Sequence, residues 1–326
     1  MRAIVQDAYG GPEVLRLADV DPPAPGVGQV RLRVRAAALD ASVWYLLRGR
    51  PRVVRLGAGL RRPRVRVPSQ ELVGVVEAVG PGVRRVSVGD EAFGTGRGAF
   101  AELALAAENR LAPLPPGVPA EAAATLGVSG TTALQAVQDA GEVRAGHRVL
   151  VTGAGGGVGS FVVALATARG AEVTAVAGPG KADLVTRLGA ARTIDYTREP
   201  LDAAGAHDVV IDVAGNRPLR VLREVLAPRG ILVLVGAGVA TTGFLGGAER
   251  QLRGALLSPF TRQRIRGMIG ISQPDDLQTL AAMVADGRLR PAVERVVALE
   301  DVPDAVRELG RGHASGKTVV IPSLVR

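Results

Sequence analysis

Cysteine is absent from this chain of 326 residues. That one absence removes disulfide frameworks, thiolate-ligated zinc and cysteine nucleophiles together. Lysine is nearly absent too: only Lys181 and Lys317 occur, so almost all of the 40 basic residues are arginine. Long apolar runs are missing; the longest, such as Ile231 to Val235, have the length of a core strand and cannot span a bilayer. The start, Met1-Arg2-Ala3-Ile4-Val5, enters a strand-like pattern with no apolar leader region, so a cytoplasmic location is expected. Carboxylates are missing from one stretch in particular. No Asp or Glu lies between Ala41 and Gln70, where Arg48, Arg50, Arg52, Arg55, Arg61, Arg62, Arg64 and Arg66 fall.

What is present points to a globular chain. Hydrophobic residues make up 47%, ample for sizeable cores, and the length favours two domains over one. The net charge of +9, carried by arginine beside abundant Ala and Gly, looks like a GC-rich coding bias rather than selection for an anionic partner. The arginine-rich segment reads first as a solvated loop, with a contact for an acidic substrate or cofactor phosphate as the alternative. A nucleic-acid surface would interleave aromatics for stacking, and beyond Trp44 and Tyr45 there are none here. Neither nucleic acid nor membrane is expected as a partner; a small-molecule substrate is.

The first hundred or so residues carry short β segments. Gln29 to Arg35 alternates with period two, Leu72 to Val79 is closed by Gly80-Pro81-Gly82, and Val86 to Phe93 follows. Together they predict a barrel-like β unit. From Pro119 onward strands and helices alternate: strands over 148–152, 172–176, 209–213 and 231–235, helices over 158–169, 182–188 and 218–226. That alternation predicts an α/β fold with a parallel, doubly wound sheet. The sequence 149–159 is an apolar strand, a glycine cluster (Gly153, Ala154, Gly156, Gly157) and a helix start (Val158, Gly159). Small residues there let the backbone approach a pyrophosphate at the helix N-terminus. A carboxylate for ribose hydroxyls is expected at the end of the second strand in NAD-binding proteins. This strand instead runs into Gly178-Pro179-Gly180-Lys181, which leaves room for a 2′-phosphate and supplies a cation, so NADPH is the expected cofactor. Tyr196, after the next strand, is a candidate neighbour of that phosphate, and Gly236, just past Val235, is a further cofactor candidate.

Along its whole length the chain resembles the zinc-independent, quinone oxidoreductase (zeta-crystallin-like) branch of the medium-chain dehydrogenase/reductase superfamily. The markers are Tyr9-Gly10-Gly11-Pro12-Glu13-Val14-Leu15, Gly74 to Gly80, Val88-Gly89-Asp90, Leu126 to Ala133, the glycine turn, Leu188-Gly189-Ala190 and Gly316 to Val320. The resemblance implies a GroES-like catalytic domain from 1–121 and 264–326, a Rossmann domain from 122–263, NADPH and a homodimer. Gln70-Glu71 stands where zinc members carry His-Glu, and His147, His207 and His313 lack ligand spacing, so no metal is expected and surface positions are expected for the histidines. The resemblance puts Asp40, Tyr45 and Thr132 at the nicotinamide pocket and Lys317 beside the cofactor. Relatives usually carry Asn at Asp40, so substrate binding is expected to depart from the prototype. Trp44 reads better as core packing than as a substrate platform.

These residues imply hydride transfer from NADPH to a quinone or an α,β-unsaturated carbonyl, with backbone amides, cofactor hydroxyls or Tyr45 polarising the oxygen. A zinc-free carbonyl or alcohol reductase, and an NADPH-binding protein with little turnover, stay open as alternatives. The stretch 244–270, with Phe244, Leu245, Leu252, Leu256, Leu257 and Phe260 among arginines, is expected to act as a lid and a dimer-edge strand.

Overall fold

The computed structural model describes residues 1–236, 246, 248–312 and 314–324; Phe244, Leu245 and His313 lie outside the described residues. The chain divides into two compact units. One comprises Met1–Thr131, Ile271–His313 and Lys317–Arg326; the other comprises Thr132–Gly270 and Ala314–Gly316.

The first unit is built on a seven-stranded sheet. Its order is Val293–Ala298, Lys317–Ile321, Gln29–Leu39, Glu71–Val79, Glu91–Thr95 and Leu111–Pro113, with Leu103–Ala107 also pairing to Gln29–Leu39. Pairing is antiparallel except between Val293–Ala298 and Lys317–Ile321. The strand Gln29–Leu39 shows why sequence pattern reads only part of it. Val30, Leu32 and Val34 point inward while the intervening arginines face out, but from Ala36 every side chain is buried. There the strand lies between Glu71–Val79 and Lys317–Ile321 and both its faces are covered, so alternation ends. The core gathers Ile4, Leu32, Leu47, Leu72 and Phe100. The segment 86–90 is not strand; the next strand starts at Glu91.

The second unit carries a six-stranded, all-parallel sheet in the order Arg192–Asp195, Glu172–Ala177, Arg148–Thr152, His207–Asp212, Leu226–Leu234, Arg264–Gly267. Its central strands are apolar on both faces, as Val149, Leu150 and Val151 illustrate with 0% exposure, because helices cover both sides of such a sheet. The strand order reverses between Arg148–Thr152 and His207–Asp212, and ligands bind outside strand carboxyl ends at such a reversal. The doubly wound fold expected from the sequence is therefore present, and the chain also has a β-rich unit drawn from segments before and after it.

The change-overs fall later than the sequence suggested. Residues 120–130 belong with the β-rich unit because the amides of Val128 and Ser129 hydrogen-bond to Glu71. The strand Arg264–Gly267 belongs to the parallel sheet, so the second change-over falls after Gly270.

Trp44 sits on the helix Ala41–Arg48 and packs against the helix Val302–Gly310; a Cβ on Gly310 would lie 2.2 Å from the indole. Gly310→Ala is therefore expected to destabilise the protein by about 1–3 kcal/mol. Trp44 is the only tryptophan, so denaturant titration followed by its fluorescence reads both the loss of stability and the displaced ring.

Candidate functional site

The glycine turn leaves Thr152 at the reversal point and enters the helix Gly157–Ala168. Gly156 is the cap residue and brings no side-chain hydrogen bond to the first helical turn, so amides that have no intrahelical acceptor stay available for an anion. Gly159 cannot be anything larger, because a Cβ would stand 2.1 Å from the Gly153 carbonyl oxygen. Val158 is half-buried and Ala154, in the first glycine place, is fully buried. The result is a cradle made of backbone, which fits the pyrophosphate of a dinucleotide.

The second strand, Glu172–Ala177, delivers the next group. The Lys181 stem crosses the turn where a Gly155 Cβ would be, 2.7 Å from the Lys181 Cδ, and its ammonium donates to the Ala314 carbonyl at 2.7 Å. Gly316 N donates to the Gly155 carbonyl at 3.0 Å, so residues 314–316 close one side of the turn. Partial burial lowers the Lys181 pKa from its ordinary value. Tyr196 brings its ring edge and hydroxyl to within 3.1 Å of a Cβ on Gly178. Glycine turn, Lys181, Gly178 and Tyr196 are thus brought together. Gly236 also lies at the strand ends, its amide donating to the Asp212 carbonyl at 3.1 Å.

Sequence reasoning missed the group beneath the turn. Asp212 ends the strand next to Thr152 with 0% exposure and accepts a 2.5 Å hydrogen bond from the Thr152 hydroxyl. Arg250 places Nη1 2.5 Å from the other Asp212 oxygen, an ion pair off the hydrogen-bonding direction. The available signal was an acid closing an otherwise apolar run, Val209-Val210-Ile211-Asp212. Thr132 is buried in the same unit, and a Cβ on Gly270 would meet its hydroxyl at 2.2 Å.

The β-rich unit holds the other candidates. Asp40 caps the helix Ala41–Arg48: one carboxylate oxygen accepts from Ser42 N at 2.7 Å, and the other is buried with no hydrogen bond among the described residues. Capping alone explains a short polar side chain here and would suit Asn equally well. Tyr45, on the same helix, is half-buried, and burial raises its pKa, so the phenol remains a hydrogen-bond donor at neutral pH. Gln70 Nε2 donates to Ser42 Oγ at 3.2 Å.

Lys317 is 1% exposed, and its ammonium donates to the Leu39 carbonyl (2.9 Å), Glu71 Oε2 (2.5 Å) and Ser129 Oγ (2.8 Å). All its hydrogens are therefore taken by protein groups. Glu71 Oε1 accepts the Val128 and Ser129 amides at 2.7 and 2.8 Å. Burial pushes the Glu71 carboxyl up from its ordinary value; Lys317 opposes that shift, and nearby Asp40 adds to it.

His147 accepts the Arg144 amide at 3.3 Å. His207 corrects the surface expectation: it is buried between the Gly205 carbonyl and Thr174 Oγ1 at 3.0 and 3.1 Å, and burial lowers its pKa. Among the described residues no three of His, Cys, Asp and Glu converge as a metal site.

Residues 26–116 match the family model of the alcohol dehydrogenase GroES-like domain, and residues 188–320 match that of zinc-binding dehydrogenases. The quinone oxidoreductase of Pseudomonas aeruginosa is 34% identical, over 97% of this chain and 98% of that protein. Among solved structures, the quinone oxidoreductase from Coxiella burnetii superposes with a TM-score of 0.86 at 27% identity, covering 100% of this chain and 99% of that one. A mycobacterial protein solved in complex with NADPH gives 0.83 at 26% identity, covering 99% and 100%.

Replacing Lys317 by Met strands a buried carboxylate, a change that costs about 3–5 kcal/mol near neutral pH. In that variant burial and Asp40 act on Glu71 unopposed by the ammonium, so the folded form holds its proton more tightly than the unfolded form does. Stability relative to the native protein should recover as pH falls and decline as pH rises through the raised value. Urea unfolding of Lys317→Met at about pH 5 and about pH 8 should give the smaller loss at the lower pH.

Proposed function

The chain belongs to the quinone oxidoreductase family of the medium-chain dehydrogenase/reductase superfamily, and on that footing we propose that it reduces quinones or other conjugated carbonyls with NADPH and without a metal. The observation that carries the reading is the end of the second parallel strand. Ala177-Gly178-Pro179-Gly180 offers no carboxylate to ribose hydroxyls, while Lys181 lies against the glycine turn and Tyr196 packs beside Gly178. A 2′-phosphate suits that arrangement: it needs space, a cation and no repelling acid. The uncapped start of the helix Gly157–Ala168 suits the pyrophosphate, and Ala154 and Val158 keep that approach small.

Bound NADPH supplies the hydride; the chain's own residues orient and polarise. Tyr45, kept protonated by its raised pKa, is our choice for the donor to the substrate carbonyl oxygen, and Thr132 is assigned to the nicotinamide side. Asp40 carries a carboxylate where relatives usually carry an amide; one of its oxygens caps Ser42 N and the other is buried, so its part in this reading is to hold the start of the helix that carries Tyr45. Lys317 donates directly to the Leu39 carbonyl and so holds Leu39, and therefore Asp40, in place, with Glu71 as its counter-charge. The reading includes a homodimer. Arg264–Gly267 is an edge strand, and Leu252, Leu256 and Phe260 stand exposed near it.

Lys181→Ala should weaken NADPH binding by about 10- to 100-fold, the worth of one charge-assisted hydrogen bond, and leave NADH binding within about twofold. Equal losses for the two cofactors, read by fluorescence titration, would remove the phosphate contact. Stopped-flow mixing of the NADPH-loaded protein with a benzoquinone and with an enone should show cofactor oxidation at 340 nm (about the reduced nicotinamide maximum). Oxidation by simple aldehydes at the same rate would favour a carbonyl reductase, and no oxidation by any acceptor would leave only a binding protein.

A further inference from the structure

The acid-free stretch from Ala41 to Gln70 carries eight arginines. In sequence it reads as a solvated loop, but the structure shows an ordered platform. The Tyr9 hydroxyl donates to the Gly59 carbonyl at 2.6 Å, and Arg55 stands over the Tyr9 ring, 4.5 Å from its centroid, while its Nε donates to the Gly49 carbonyl. The Arg64 amide donates to the Ala58 carbonyl at 2.7 Å, the Gln6 amide donates to the Arg66 carbonyl, and Pro63 is buried. Held in this way, the segment turns three aliphatic side chains outward while Val53 and Val54 stay half-buried: Leu56 is 65% exposed, Leu60 68% and Val65 42%.

Arg50, Arg52, Arg61 and Arg62 stand exposed in the same segment, with no ion pair among the described residues, whereas Arg66 pairs with Asp7. Single exposed leucines are ordinary on protein surfaces. Three aliphatic side chains fixed outward among unneutralised arginines have the chemistry of an interfacial surface, in which apolar groups enter the headgroup boundary and cations meet anionic headgroups. Stacking of nucleic-acid bases would need free aromatic faces. Here Tyr9 is covered by Arg55, and Trp44 is packed on Gly310 with Arg48 5.0 Å from its ring centroid.

We propose that residues 48–66 form a peripheral docking surface for an anionic lipid bilayer. Binding there is independent of the hydride acceptor; only its use, bringing a reductase to a phase in which apolar quinones dissolve, rests on the function proposed above.

Co-sedimentation of the full chain with phosphatidylcholine vesicles, with and without about 30% phosphatidylglycerol, tests this at about 20 mM and about 500 mM salt. Binding is expected to the anionic vesicles only, and to weaken at high salt. R50Q/R52Q/R61Q/R62Q should bind at least tenfold more weakly, given that each arginine near the surface contributes about fivefold. R84Q/R229Q/R290Q/R311Q removes the same charge from exposed positions elsewhere and should lose less than about threefold, a distinction that mere net charge would not give. L56Q/L60Q keeps the charge and should lose about tenfold.

Equal binding to neutral and anionic vesicles, or to neither, overturns the proposal. So does a charge-matched control that loses as much as the segment variant, or an L56Q/L60Q protein that binds unchanged. Tight binding to duplex DNA with none to vesicles would make the segment a polyanion patch instead. NADPH oxidation by quinone in vesicle-free buffer is expected to stay unchanged in every variant, so failure here is distinguishable from failure of the reductase reading.

Discussion

The Lys317–Glu71 pair is the constraint on which the β-rich unit is arranged. An ammonium and a carboxylate withdrawn from water cost several kcal/mol each unless their hydrogen-bonding capacity is met. Here the ammonium meets a carbonyl, a carboxylate and a hydroxyl, and the carboxylate meets that ammonium and two amides. The segments that supply these groups cannot slide past one another singly, because any slip strands a buried charge. Asp40 follows directly after Leu39, whose carbonyl is one of the partners. The helix that carries Tyr45 is thereby hung from a fixed point rather than from a loose turn.

The nucleotide-type unit solves a related problem with less charge on show. Its glycine turn is useful because side chains are missing from it, and a turn without side chains has little to anchor it. Asp212 and Arg250 anchor it from below by fixing the Thr152 hydroxyl, and residues 314–316 hold it from the side through Gly155. Lys181 then adds a feature that backbone amides cannot supply, a cation whose stem fits only because Gly155 has no side chain.

Much of this was legible from local pattern. The parallel sheet announced itself through apolar runs separated by helices, and the glycine turn through its place between strand and helix. Period-two alternation gave Gln29 to Arg35, yet it could not give Ala36 to Leu39, where burial on both faces erases the signal. Asp40 carries a readable sign of capping, a short acid just before a helical run, in a position that also resembles one in the pocket. The resemblance sets Lys317 beside the cofactor. Its hydrogen-bond partners in the protein lie at separations of 188 to 278 residues, a distance over which no local pattern speaks. Asp212 carries a local sign, an acid closing an apolar run, but its partners Thr152 and Arg250 come from other elements, and the outward leucines of the arginine-rich segment become informative only once their exposure is known.

The pairing of Lys317–Ile321 with Gln29–Leu39 also sets an order of events on the ribosome. Leu39 emerges early, and the lysine that caps its carbonyl lies 278 residues further along. At about 5–20 residues per second, that interval is about 14–56 s. Throughout it the Ala37–Leu39 end of one edge of the strand Gln29–Leu39 lacks its neighbour and Glu71 lacks its counter-charge, while the six-stranded parallel sheet is made in between. The unit translated first is therefore completed last, and during synthesis its unpaired edge is the surface most open to chaperones or to a neighbouring nascent chain.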